Sequence, residues 1–401
     1  MQFLKSSNLA AICLALALGS VHFAPALASI FTGLSVLVGI SQIKHNFPWK
    51  STLYILSSFL FIVLVNFKHS DYAVLDFNRI VIYAPLLFVP LLFMAFKPLK
   101  INKLIIYLVA LPPLWIVIAS VLNYFNHYEF LSQMVLESKP LPLFSSVYHI
   151  EFSFILTSVL LFLGMFLWRN IQELRSNRDV LVIFILLFLG MHILSARTGL
   201  LSFWMSVGVW AAFEGHKYIK QHWKIALLSA LTLIILALVT PSIKNRVLNT
   251  AEDLSAVING DDLNHKSFGQ RWEAWRASLA IIENHRAWGV GSARKEEALI
   301  QGHQMIGSQV DIENQVQPHN QWIQWVLEWG VIFLVFPVVL LIWGQRTQQS
   351  IMVYMSFMAI FVATQFESLL ERQSGVLAVL FLLTVSGIQF SKNPKLSENS
   401  Q

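Results

Sequence analysis

Apolar runs set off by short basic clusters make up most of this chain. Twelve of them, centred near residues 16, 35, 59, 88, 112, 160, 187, 206, 232, 332, 358 and 382, approach the roughly 20 apolar residues with which a helix crosses a bilayer. The pattern predicts an all-α polytopic membrane protein. Nine spans fall within residues 1–240, three within 319–390, and residues 391–401 form a polar tail. Residues 241–318 have a different texture, with eight basic and ten acidic residues. Within them Trp272, Trp275, Leu279 and Ile282 recur at three- and four-residue spacing, which predicts an amphipathic helix over about 268–285 lying on the membrane surface. Gly289 and Gly291 should end it. The long segment has no counterpart in the first half, so the chain lacks the internal repeat common in transporters.

Composition narrows the class. Of 401 residues 56% are hydrophobic and only 12% charged, against about a quarter charged in soluble domains, so soluble enzyme folds are excluded. A net charge of +6 would suit nucleic acid, but the basic residues cluster between apolar runs, where they act as topology signals instead. With the N-terminus in the cytoplasm, inside loops carry fifteen Lys and Arg and short outside connections five. That asymmetry puts both termini inside and residues 241–318 outside. Residues 5–28, ending Ala26-Leu27-Ala28, also read as a signal peptide whose removal would leave the later orientation unchanged. The single cysteine, Cys13, permits neither a disulfide framework nor a thiolate metal cage.

Ionisable residues at spans are costly and therefore stand out. Arg79 opens the fourth span, Arg197 sits in the turn Ser195-Ala196-Arg197-Thr198-Gly199, His319 opens the tenth span, and Glu367, Glu371 and Arg372 close the eleventh. All fall at the outer face, beside the segment that supplies Arg271 and Arg276, and one polar chamber there is the economical reading. Blander roles compete: Arg79 as a snorkelling anchor, and Arg271, Glu273 and Arg276 as a solvated helix face with local ion pairs. His265, His285 and His303 lack metal-ligand spacing, and Asp71 and Asp76 stand without further ligands, so no metal site is expected. His319 can take a proton near neutral pH, and Asn320 follows it at the helix start. Glu328, nine residues on, would face the opposite side of the helix about 13 Å deeper. It reads as a buried partner for another helix.

The His319-Asn320 pair with Glu328 and Gly330, the Arg197 turn, the string GQRWEAWRASLAIIENHRAWGVG (269–291) and the string ESLLERQSGVLAVLF (367–381) together resemble the O-antigen ligase and polymerase superfamily, the last string its ligase branch. The resemblance covers about residues 180–390. It implies a metal-independent glycosyltransferase of the GT-C class, without cofactor, in the bacterial inner membrane with its active site facing the periplasm. The donor would be a glycan on undecaprenyl pyrophosphate and the acceptor lipid A-core, among membrane lipids and with no nucleic acid. The resemblance assigns Arg197 and Arg271 to the donor pyrophosphate and His319 to activation of the acceptor hydroxyl. Arg79, Arg276, Asn320, Glu328, Glu367, Glu371 and Arg372 stand as supporting candidates. Such chemistry needs cations to stabilise a leaving pyrophosphate and a base for the attacking hydroxyl, and it inverts the anomeric carbon. An O-antigen polymerase, a protein O-oligosaccharyltransferase, a transporter and a structural membrane protein are the alternatives. A transporter should carry its charges near mid-bilayer.

Overall fold

The computed structural model describes residues 6–42, 81–96, 99, 101–136, 141–194, 197–221, 223–224, 241–347 and 350–388, with short helical pieces between 49 and 63. Every regular element among them is helical. The helices are α1 (Ser6–Ser20), α2 (Pro25–Gln42), α3 (Val89–Phe96), α4 (Lys103–Asn126), α5 (Tyr128–Leu136), α6 (His149–Arg169), α7 (Arg178–Leu194), α8 (Arg197–Trp210) and α9 (His216–Gln221). There follow α10 (Pro241–Asn259), α11 (Ser267–Asn284), α12 (Lys295–Met305), α13 (Gln321–Trp329), α14 (Val335–Thr347), α15 (Ile351–Phe366) and α16 (Gln373–Val385). Helical elements occupy ten of the twelve predicted centres. The span expected near residue 59 is described only in pieces, and that near 232 lies outside the described residues.

The bundle is built around α6. From Glu151 to Leu167 nearly every α6 residue is buried, as expected of a helix apolar on all sides, and it packs against α4, α7, α8, α15 and α16. The periphery is also apolar. Leu27, Ile30, Leu34 and Leu37 on α2, and Leu111, Trp115, Ile118 and Leu122 on α4, are exposed at helical spacing. Rows of this kind on a soluble surface would aggregate, whereas facing hydrocarbon they cost nothing. By length and apolarity α4 and α6 each suffice to cross a bilayer alone.

Charge collects at two ends of the bundle. At one end Lys103 pairs with Asp179 at 2.8 Å and Arg169 with Glu214 at 2.7 Å. At the other, the α1–α2 turn meets the approach to α6 through Ser146 N–H donating to the His22 carbonyl (2.9 Å), and Gln373 at the start of α16 donates to Ser29 on α2 (2.6 Å). This second end carries the α10–α12 segment.

Two expectations are corrected. The tenth span is a broken helix: α13 stops at Gly330, a four-residue 3-10 turn follows (Val331–Leu334), and α14 resumes. Gly330 has φ 73°, and a Cβ there would lie 2.1 Å from the Ala287 carbonyl oxygen, so only glycine fits. The chain of 286–291 lies against this break and satisfies it: Val290 N–H donates to Leu327 O, Gly291 N–H to Glu328 O, and Val331 N–H to Arg286 O, at 2.8–2.9 Å. Carbonyls at a helix end buried in protein need such partners. The amphipathic helix is present as α11, but its protein-facing side consists of Gly269, Glu273, Ala274, Ala277, Ser278 and Ile281. These small residues let α12 approach closely, with the Gly302 position only 2.5 Å from Ala277 O if it bore a Cβ. Trp272 and Leu279 stay exposed.

Candidate functional site

His319 is held by its neighbours in sequence before it meets any distant partner. Asn320 caps α13, its side-chain oxygen accepting from Trp322 N–H (3.0 Å) and Ile323 N–H (3.1 Å). The same side chain donates to the Gln365 carbonyl (3.0 Å), tying α13 to the last turn of α15. His319 just outside the cap takes φ 47°, a left-handed conformation that costs a non-glycine residue about 1 kcal/mol. Trp275 Nε1–H donates to the Pro318 carbonyl (2.5 Å), gripping the chain immediately before it.

The conformation brings His319 Nδ1 to 2.8 Å from Glu367 Oε2. Glu367 ends α15 and is nearly buried, and its other oxygen receives Arg271 Nη2–H at 2.8 Å. Arg271 Nη1–H adds a bond to the Phe366 carbonyl (3.1 Å). Arg271 and Trp275 stand four apart on α11 and therefore share a face, so one helix face clasps both Glu367 and the His319 backbone. The chemistry follows from donor rules. A carboxylate only accepts, so Nδ1 carries the hydrogen and Nε2 presents its lone pair as a base.

The other candidates fall elsewhere. Glu328 is the buried partner of another helix, as expected: Lys295 Nζ at the start of α12 lies 3.0 Å from Glu328 Oε1, and Ser292 Oγ donates to Oε2 at 3.1 Å. Gln324 adds a donor from one turn back. Lys295 also bonds Glu371 Oε2 at 2.8 Å. Glu328 and Glu371 thus share one buried ammonium and do not reach His319. Arg276 pairs with Glu273, three residues back, at 2.7 Å; Arg276 is half exposed, but Glu273 is buried rather than on a solvated face. Arg372 Nε faces Glu151 Oε1 at 3.5 Å, and its guanidinium lies 4.9 Å from the Tyr148 ring centre. Arg79, Asp71 and Asp76 lie outside the described residues, as does the Arg197 side chain. The Arg197 backbone opens α8, where Gly199 abuts Ser153 so tightly that a Cβ would come within 2.6 Å of its carbonyl oxygen. The start of α8 therefore lies beside the start of α6.

Among the loop histidines, His285 Nδ1 contacts the Ile281 carbonyl (3.1 Å) and His265 has φ 67°. His303 is buried, neither ring nitrogen has a partner among the described residues, and burial holds it below the ordinary histidine range while the Glu273 charge acts in the opposite direction. No group of three or more potential metal ligands occurs among the described residues.

Lys295 and Glu151 are the residues that sequence reasoning misses. Lys295 opens the run Lys295-Glu296-Glu297, which looks like a solvated helix start. Glu151 stands in the first turn of an apolar span, where the cost of an intramembrane carboxylate is signal enough to single it out.

The family model for O-antigen ligase matches residues 181–338, from α7 into α14, so this part of the chain is similar to the O-antigen ligase superfamily. The matched segment contains Arg197, Arg271, Lys295, His319 and Glu328, while Glu367 lies beyond it. No curated protein matches the chain. Proteins of this superfamily are membrane proteins of O-antigen and lipopolysaccharide biosynthesis, acting as glycosyltransferases on polyprenyl-linked glycans.

Proposed function

We propose that this protein is an O-antigen ligase of the bacterial inner membrane, transferring a glycan from undecaprenyl pyrophosphate to a sugar hydroxyl of lipid A-core on the periplasmic side. The observation that carries the reading is the chain Arg271, Glu367, His319, which gives a partly exposed imidazole an oriented, basic Nε2. The acceptor oxygen forms its bond to the anomeric carbon as its proton passes to Nε2. The bond from that carbon to the pyrophosphate oxygen breaks on the opposite face, and undecaprenyl pyrophosphate leaves with the electron pair, inverting the configuration. Glu367 accepts from Nδ1–H throughout and offsets the imidazolium charge.

Pyrophosphate is a weak base and needs cations rather than an acid. Arg197 supplies one at the start of α8, where unpaired backbone N–H groups add positive potential. Arg271 supplies the other through the N–H groups it does not spend on Glu367 and Phe366, and no metal is required. The ligase assignment over a polymerase rests on the resemblance of residues 367–381 to that branch and on the exposed Trp272 face of α11, against which a lipid-anchored acceptor can rest.

The test reconstitutes the protein in liposomes with EDTA, a polymerised glycan on undecaprenyl pyrophosphate, and lipid A-core lacking O-antigen. A ligase makes capped lipopolysaccharide only when the core acceptor is present. Elongation of lipid-linked repeats without core would replace this reading with the polymerase. Activity that vanishes on chelation and returns with one added metal would overturn the metal-independent mechanism.

A further inference from the structure

Beside the Glu367 carboxylate lies a second group of side chains that the transfer chemistry does not use. Arg372 stacks over Tyr148 with its Nε edge toward Glu151. Arg372 and Tyr148 are largely exposed, whereas Glu151 is 6% exposed. Glu151 Oε2 has no hydrogen-bond partner among the described residues. Only four residues separate Glu367 from Arg372 along the chain, across the Leu369–Glu371 turn, which puts the group near the carboxylate that orients His319. A carboxylate oxygen kept from water without a donor is costly unless a ligand brings one.

The charges decide what kind of ligand fits. Arg271, Arg276, Lys295 and Arg372 each already face a carboxylate. A pyrophosphate placed at Arg372 would meet Glu151 and, close by, Glu367, two like charges. A sugar ring meets neither obstacle: its hydroxyls donate to a carboxylate and accept from a guanidinium, and its C–H face packs on an aromatic ring. Arg372 lies over Tyr148 with its Nε toward Glu151, and the two terminal nitrogens of a guanidinium form a planar fork that can donate to adjacent hydroxyls.

We propose that Tyr148, Glu151 and Arg372 form a sugar-binding subsite that seats the ring adjoining the bond His319 makes. This rests on the transferase reading for its place in the reaction. The ring belongs either to the acceptor core or to the first residue of the donor glycan, and the two are separated by experiment.

The experiment measures binding rather than turnover, so it stands whether or not transfer is observed. Full-length protein in nanodiscs is titrated with two phosphate-free probes, dephosphorylated core oligosaccharide and polymeric glycan cut from its lipid, and separately with inorganic pyrophosphate. Wild type should bind at least one glycan. Arg372→Lys and Glu151→Gln should each weaken that glycan by about ten- to hundredfold, the loss of a charge-assisted contact, and leave pyrophosphate binding unchanged. Tyr148→Leu should weaken it, whereas Tyr148→Phe, which keeps the ring, should not. The probe that loses affinity identifies the source of the sugar. Because Arg372 is largely exposed, Arg372→Lys should fold even if Glu151→Gln does not. Absence of glycan binding by wild type, glycan affinity unchanged in folded Arg372→Lys, or a fall in its pyrophosphate affinity would each overturn the subsite.

Discussion

Two charge clusters join the same α10–α12 segment to the same helical bundle, and they differ in depth. In one, Lys295 (5% exposed) lies between Glu328 (0%) and Glu371 (10%). In the other, Glu367 (7%) lies between Arg271 (26%) and His319 (32%). The first is sealed, and Glu328 receives hydrogen bonds from Ser292 and Gln324 besides the ammonium. The second leaves the His319 and Arg271 side chains partly exposed. Similar side chains thus serve opposite ends. A buried network fixes where the segment sits, and a half-open one at the rim has room left for a substrate.

The largest expected effect tests the open cluster. His319→Ala should cut transfer by about 10²–10⁴-fold, the usual worth of a positioned base, with no change in melting temperature. Glu367→Gln should fall nearly as far, because a neutral amide neither fixes the Nδ1–H tautomer nor offsets the imidazolium. Losses that track the folded fraction would remove the distinction between the clusters.

The sealed cluster should respond in stability instead. Lys295→Ala removes the ammonium that two buried carboxylates share and should cost about 3–5 kcal/mol, read as a lower denaturation midpoint. The double variant Lys295→Met, Glu328→Gln removes one charge of each sign and should be the more stable of the two. A double variant as unstable as the single one would mean that the ammonium acts by packing alone.

Smaller effects bound the comparison from outside. The Arg276–Glu273 pair is three residues apart with Arg276 half exposed and Glu273 buried, so Arg276→Ala should cost about 1–3 kcal/mol and leave turnover near wild type. A tenfold loss of turnover would move Arg276 into the substrate site. His303 contributes a pH dependence. Burial lowers its folded-state pKa below the unfolded value of about 6.5, so protonation favours the unfolded chain. Its contribution is complete above about pH 6.5 and is lost as pH falls from there toward the folded value. His303→Gln should flatten that acid limb in a melting-temperature profile taken from pH 7.5 to 5.

The sequence by itself determined where most of the helices lie, because helical periodicity and hydropathy are local. It also determined that His319 precedes a helix, since an asparagine cap acts within three residues. Tertiary structure decided the partners. Glu367 reaches His319 across 48 positions only because α15 ends beside the start of α13, which the Asn320 and Trp322 side-chain bonds fix. Lys295 sits in a run that looks solvated until α12 packs on α11 and turns it inward, and the buried stripe of α11 follows small residues rather than tryptophans because close helix approach selects for size. Which carboxylate a cation finds depends on distances between helices, and those are set by packing that no local periodicity encodes.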